Sequence, residues 1–412
     1  MARWVRAGVQ VCLVDKCSAP HEVIESKLRL VLAQIPIIQD GQFRAFQSDA
    51  MLAGCIERVD LERATSCHAT NVYGWNALFR IYLFSMQKAE RFGMLSNRNT
   101  VLQCKGEEHA FEGCALPSAA ARGLWEQLFF DHDAKQRLIE YTASAMLFVK
   151  HDVDPMVINW NRMVLLYGPP GTGKTSFVKA AAQKLSVRMR ADYPRSYLLE
   201  VNAHSLFSKW FSESGKLVAR MFGHILDVAD DPDCLVFVLI DEVESLTSIR
   251  RAGGNEPSDA LRVVNAMLTQ LDNLKAYPNV LVLCTSNLTG ALDDAFLDRA
   301  DLKQYIGPPT RRTRYMILRS CVLELARTQI LACTPDAFDA TPTDTSPDPT
   351  KQLWALSELC DGMSGRRLRK VPLLAHAASE HPHSMMVPWS AFFESLLRIL
   401  KEDQSDKSTA DL

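Results

Sequence analysis

The chain has 412 residues, of which 46 are basic and 48 acidic, for a net charge of −2, and 47% are apolar. That length exceeds one ordinary domain and suggests two or three, while the apolar share suffices for a sizeable core and excludes a disordered polymer. The near-zero charge gives no global attraction to nucleic acid or to an anionic membrane, and the longest apolar runs, such as LVFVLI at 235–240, are far too short to span a bilayer.

Early arginines precede GVQVCLVDKC, but Asp and Lys interrupt that run too soon for a signal peptide. The 11 cysteines are scattered and form no CxxC pair, which argues against a zinc site and for a reduced, cytosolic or nuclear chain. Cys234 and Cys284 lie in apolar, strand-like runs and read as small core residues.

Along the first 115 residues, VQVCLV reads as a strand and HEVIESKLRLVLAQI as an amphipathic helix. WNALFRIYLF suits a strand or a buried helix equally well. Asn, Ser and Gly collect over 93–105, as in loops. From residue 116, helical periodicity runs through GLWEQLFFDHDAKQRLIEYTASAMLFV. Strands and helices then alternate: RMVLLY, KTSFVKAAAQKL, YLLEVNA, GKLVARMFGHILDV, CLVFVLI, PSDALRVVNAMLTQLDNL and NVLVLCTSN. Continuously apolar strands alternating with helices predict an α/β fold with a parallel sheet buried on both faces. After Pro308-Pro309 the pattern turns helical. TPDAFDATPTDTSPDPT, rich in Thr, Pro and Asp, reads as a flexible insertion near 335–350, and 403–412 reads as a flexible tail.

GPPGTGKT, spanning Gly168, Pro169, Pro170, Gly171, Thr172, Gly173, Lys174 and Thr175, matches GxxxxGK[ST] between a predicted strand and a predicted helix. The glycines let backbone N–H groups wrap phosphates, and the helix N-terminus adds its dipole. Lys174 is placed to reach the β- and γ-phosphates of ATP, and the Thr175 hydroxyl to hold Mg²⁺. In LVFVLIDEVESL an apolar strand ends in Asp241, placed to organise Mg²⁺, and Glu242, placed to polarise the attacking water. Glu244 reads as structural or solvated. In TSN, Asn287 ends another strand, where it would orient water or touch the γ-phosphate, or would simply start a turn. Arg299 and Arg366 are candidates for stabilising transition-state charge; the bland alternative is a solvated surface arginine.

NRMVLLYGPPGTGKTS, HSLFSKWFSESGKLV, VFVLIDEVESLTS, EPSDALRVVNAMLTQLD, FLDRADLKQYIGPP and GMSGRRLRKVP together resemble the pachytene checkpoint, or thyroid-receptor-interacting, AAA+ ATPases, over Gly123 to Ala377. The resemblance implies an AAA+ P-loop NTPase with a helical C-terminal lid and a small α+β N-terminal domain. The domains would be 1–115 for substrate or adaptor recognition, 116–309 for the large ATPase domain and 310–402 for the lid. It implies a homo-hexameric ring in nucleus and cytoplasm that remodels HORMA-domain proteins, with an adaptor, in meiosis and checkpoint signalling. Neither nucleic acid nor a membrane is an expected partner. By the same likeness Lys174 and Thr175 bind ATP and Mg²⁺, Asp241 and Glu242 form the hydrolysis box, and Asn287 is the first sensor. Arg299 is the finger toward a neighbouring subunit and Arg366 the second sensor. Trp210 and Phe211, a bulky pair among small and polar residues, would line a central pore and grip an extended peptide; otherwise Trp210 is ordinary packing. Competing readings are a general unfoldase or severing ATPase, a nucleic-acid motor, and a scaffold that binds ATP without hydrolysis. The intact Lys174, Asp241 and Glu242 argue against the last.

Overall fold

The computed structural model describes residues 5–15, 17, 19–38, 40–63, 74, 77–87, 91–92, 95–96, 100–101, 111–131, 133–202, 214–245, 257–287, 294–379 and 386–410. Near the N-terminus, β1 (Val5–Leu13) forms a sheet with β3 (Ile56–Arg63), antiparallel, and β4 (Ala77–Ser85), parallel, and β2 (Gly41–Phe43) extends the β3 edge. The described part of WNALFRIYLF, from Ala77 on, resolves as a strand, because β4 pairs along the whole length of β1. Helix α1 (His21–Ala33) buries Ile24, Leu28 and Leu32, spaced four apart, against Val9, Val11 and Leu13, and α2 (Ala50–Cys55) adds Leu52. Period four on the helix and period two on the strand present one apolar face each, so the two close on each other.

The second sheet is built, in the order β13–β9–β12–β11–β10–β8–β5, from β5 (Arg91–Phe92), β8 (Phe111–Leu116), β9 (Met163–Tyr167), β10 (Arg195–Asn202), β11 (Cys234–Asp241), β12 (Val280–Ser286) and β13 (Leu302–Tyr305). From β13 to β10 all neighbours are parallel, while β8 and β5 add on antiparallel beyond β10. Two short strands, β6 (Leu95–Ser96) and β7 (Thr100–Val101), pair apart from it. This sheet thus recruits residue 111 onward and 91–92, upstream of the boundary at 116 expected from the sequence.

Strand β11 shows why the parallel strands read as unbroken apolar runs. Val236, Val238 and Ile240 pack on one side with α6 (Ser214–Ala229) and α7 (Pro257–Leu274). Leu235, Phe237 and Leu239 pack on the other with α4 (Ala134–Lys150) and α5 (Lys174–Arg188). Both faces are buried, so alternation disappears from the sequence. Buried Cys234 and Cys284 belong to this core, and burial pushes the Cys234 thiol up to about 12.

The expected continuous helix across 123–149 is broken. It forms α3 (Leu124–Gln127), an extended turn from Leu128, and then α4. The reason is tertiary. Phe130 packs tilted against Phe177 of α5, ring centroids 4.8 Å apart, and Asp131 accepts hydrogen bonds from the Thr310 backbone N–H at 2.9 Å and from the Thr310 and Thr313 hydroxyls. After α8 (Asp294–Leu297), the lid comprises α9 (Arg311–Arg327), α10 (Asp348–Leu359), α11 (Gly365–Leu368), α12 (Val371–Ala377) and α13 (Trp389–Ala410), with β14 (Leu331–Ala332) pairing β15 (Val387–Pro388).

The reading of 335–350 as a flexible insertion is corrected. Phe338 is 1% exposed and meets Trp389 edge-on at 4.9 Å. The fully buried Thr350 hydroxyl accepts the Asp339 N–H at 3.0 Å and donates to the Ala337 carbonyl at 2.9 Å. The Thr, Asp and Pro residues satisfy tight turns, and a single aromatic anchors the segment to the lid core. Helix α13 likewise continues into the stretch expected to be a tail. Among the described residues, no helix is long and apolar enough to cross a membrane.

The N-terminal unit rests on α5, the helix that begins at the glycine-rich turn after β9. Cys12 and Phe84 pack on Val187, and the Glu62 carboxylate pairs with Arg188 at 2.6 Å and Lys184 at 3.3 Å. Burial alone would raise the Glu62 pKa, but the Lys184 and Arg188 cations prevail and hold it below its ordinary 4.5. A depressed carboxyl pKa contributes stability above the unfolded value, lost as pH falls through the folded one. The contact is therefore expected to weaken only below pH 4.5. Glu62→Gln should loosen it at neutral pH, seen as several-fold faster hydrogen exchange in the last turn of α5. Unchanged exchange would show that the apolar contacts alone hold the two units together.

Candidate active site

The turn between β9 and α5 is the loop expected from the sequence to bind phosphate. Gly168, Gly171 and Gly173 have φ of +148°, +76° and +98°, a region closed to most side chains. A Cβ on Gly168 would lie 2.1 Å from the Ile306 carbonyl oxygen, so this position also needs the missing atom for space. Gly173 caps α5 without a side chain, leaving the first-turn N–H groups for an anion. Pro169 and Pro170 carry no N–H and stiffen the loop. The Thr172 hydroxyl donates to the Pro169 carbonyl at 3.0 Å.

Lys174 folds back over this loop and donates to the Gly168 and Pro169 carbonyls at 2.9 and 2.8 Å. Burial pushes its ammonium below the ordinary lysine range. The carboxylates of Glu244, Asp241 and Glu242 oppose that shift, and Arg366 adds to it. Glu244, read from sequence as structural or solvated, is thus half-buried beside the loop and contributes to the field on Lys174.

Parallel pairing brings the end of β11 beside the loop. Thr175 Oγ1 donates to the two carboxylate oxygens of Asp241 at 2.9 and 3.2 Å. A hydroxyl and a carboxylate meeting at the foot of a phosphate loop are hard oxygen donors of the kind Mg²⁺ takes. Glu242 follows with φ +55°, left-handed although it is not glycine. Its exposed carboxylate accepts from Asn287 Nδ2 at 3.2 Å. Glu242 and Asn287, 45 residues apart and expected from the sequence as hydrolysis box and sensor, therefore converge.

Arg366 arrives from the lid. Its backbone N–H donates to the Gly171 carbonyl at 3.1 Å, and Ser364 caps α11 against the same glycine. Arg299 is held elsewhere. Its guanidinium grips Asp272 with two hydrogen bonds, of 3.0 and 2.7 Å, and donates to the Ala295 carbonyl at 2.6 Å. That pairing holds the Asp272 carboxyl below the usual range. Arg299 as seen is thus committed within its own chain. Trp210 and Phe211 lie outside the described residues.

Residues 164–308 match the ATPase family associated with various cellular activities (AAA), and residues 310–404 match the TRIP13-like, AAA+ ATPase lid C-terminal domain. The Pachytene checkpoint protein 2 homolog of Oryza sativa subsp. indica is 43% identical over 414 residues, covering 95% of this chain and 84% of that protein. The Gallus gallus homolog is 48% identical over 306 residues, covering 72% of this chain and 70% of that one.

The chain belongs to the pachytene checkpoint protein 2 family of AAA+ ATPases.

The structure of C. elegans PCH-2 superposes with a TM-score of 0.77 at 31% identity, covering 98% of this chain and 100% of that one. A chain of the E. coli MS115-1 HORMA:CdnC:Trip13 complex shares the fold, with a TM-score of 0.53 at 18% identity over 70% of this chain and 94% of that one. As a member of this family the chain is an ATPase. Sequence reading missed Thr285, whose hydroxyl touches both halves of the hydrolysis box, and Asp131, which ties the approach to the loop to the start of the lid. The TSN cluster was the available signal for Thr285. Asp131 had none, because its partners are about 180 residues away in the chain.

Proposed function

We propose that this ATPase works as a homo-hexameric remodeller of HORMA-domain proteins, taking its client through an adaptor and acting in nucleus and cytoplasm on meiotic and checkpoint complexes. One observation carries the reading: in a chain of this family, Thr175 of the phosphate loop meets Asp241, Asn287 meets Glu242, and the lid's Arg366 bonds the loop through its backbone N–H to Gly171. The E. coli chain of like fold was solved in a complex that includes HORMA, which supports the client class.

The loop amides and Lys174 would bind the triphosphate of ATP. Thr175 and Asp241 would hold Mg²⁺, which when bound neutralises charge on the phosphate oxygens. Glu242, aimed by Asn287, takes a proton as the water oxygen bonds to the γ-phosphorus and the bond to the ADP oxygen breaks. Arg366, joined by its backbone to Gly171, would carry the change in phosphate charge into the lid. For Arg299 to serve a neighbouring subunit, its pair with Asp272 must open. Trp210 and Phe211, on the stretch between β10 and α6, would transmit each stroke to the client.

The test is conversion of a folded HORMA protein by the full chain with ATP. Loss of one large aromatic contact costs about 2 kcal/mol at a packed contact, and a ring loses it in every subunit. Trp210→Ala is therefore expected to keep basal ATPase within a few-fold and to abolish conversion. A wild-type chain that hydrolyses ATP but leaves HORMA clients unchanged, with adaptor present, overturns the reading. Normal conversion by Trp210→Ala removes the pore role alone.

A further inference from the structure

We infer that Thr285 is a positioning residue for ATP hydrolysis: its single hydroxyl sets Asp241 and Glu242 together. Thr285 lies at the end of β12, 1% exposed, beside the end of β11. Its Oγ1 donates to Asp241 Oδ1 and accepts the Glu242 backbone N–H at 3.2 Å. Its carbonyl accepts the Val243 N–H at 3.0 Å. A hydroxyl has one proton to give and lone pairs to receive, and here both capacities are spent on the hydrolysis box.

The arrangement answers a geometric problem. In a continuing strand, successive side chains point to opposite faces of the sheet, so Asp241 and Glu242 could not serve one pocket. The left-handed backbone at Glu242, φ +55°, breaks that alternation. A non-glycine residue holds such a conformation only where its surroundings over-determine it. Those surroundings are visible. Thr285 takes the Glu242 N–H, while the Ser245 N–H and hydroxyl donate to the Glu242 carbonyl at 3.0 and 2.8 Å. The turned residue then presents its carboxylate to Asn287 at 3.2 Å. Thr175 also donates to Asp241, but it belongs to the phosphate loop and is itself a candidate metal ligand. Thr285 acts through the Asp241 carboxylate and the Glu242 backbone.

The test removes the hydroxyl and keeps the shape. Thr285→Val preserves branching and strand preference in a buried site. It is expected to retain nucleotide affinity within a few-fold and thermal stability within a few degrees, while kcat falls at least about 10-fold. Thr285→Ser, which keeps the hydroxyl, should recover most of that rate. The Ser and Ala variants, differing only in the oxygen, give the same comparison if the Val variant fails to fold. A packing role would lower stability and leave kcat of the folded fraction alone. The inference is overturned by a Val variant with kcat within two-fold of wild type, by Ser and Ala variants of equal rate, or by failure of every hydroxyl-free variant to fold.

Discussion

Glu242→Gln is expected to bind ATP with near-native affinity and to hydrolyse it at least about 100-fold more slowly, the lower range for loss of a positioned general base. The change is isosteric, and its carbonyl oxygen can still accept from Asn287 Nδ2, now at 3.2 Å. The N–H and carbonyl bonds that hold residue 242 left-handed involve only backbone atoms on its side, so the local fold should survive. The phosphate loop, Lys174 and the Thr175–Asp241 contact are untouched. An amide has no basicity near neutral pH, so the proton of the attacking water has nowhere to go. Steady-state phosphate release measured beside nucleotide binding separates the two functions. Hydrolysis at the wild-type rate would show that Glu242 is not the base; loss of binding would show that its charge serves the loop rather than the water.

Gly168→Ala is expected to abolish nucleotide binding, by at least about 100-fold, and to lower the melting temperature. Two penalties coincide. A φ of +148° is denied to a residue with a Cβ, and the new atom would sit 2.1 Å from the backbone oxygen of Ile306. Ile306 cannot step aside, because its N–H donates to the Tyr167 carbonyl at 2.8 Å, continuing the pairing of β13 with β9. Gly168 is held in turn by the Ser286 carbonyl at 3.2 Å. The loop must therefore leave the sheet edge, at a cost on the order of a few kcal/mol, and its amides no longer converge. Gly223→Ala is the control. Gly223 lies in α6 with open space around a Cβ, so that substitution should leave binding intact and stabilise by up to about 1 kcal/mol. Thermal melts and nucleotide titrations of both variants make the check. A Gly168→Ala protein with native affinity would mean that the loop has room the geometry denies.

The parallel sheet, its helices and the phosphate loop were legible in the amino-acid order because each rests on local chemistry. A strand buried on both faces must be apolar throughout, as Leu235 to Ile240 are, and a loop that wraps phosphate needs glycine where φ is positive. Asp241, Glu242 and Asn287 could be named because parallel strands deliver their carboxyl ends to one edge. Tertiary structure decided the rest. It made 77–85 a strand by pairing it with β1, broke the helix at Leu128 by turning Asp131 to the lid, and folded 335–350 onto Phe338 and Thr350. It also gave Arg299 to Asp272, and placed the hydroxyl of Thr285 between the Asp241 carboxylate and the Glu242 backbone N–H. These features depend on partners that are distant in the chain, and short-range periodicity carries no information about which distant group a polar side chain will meet.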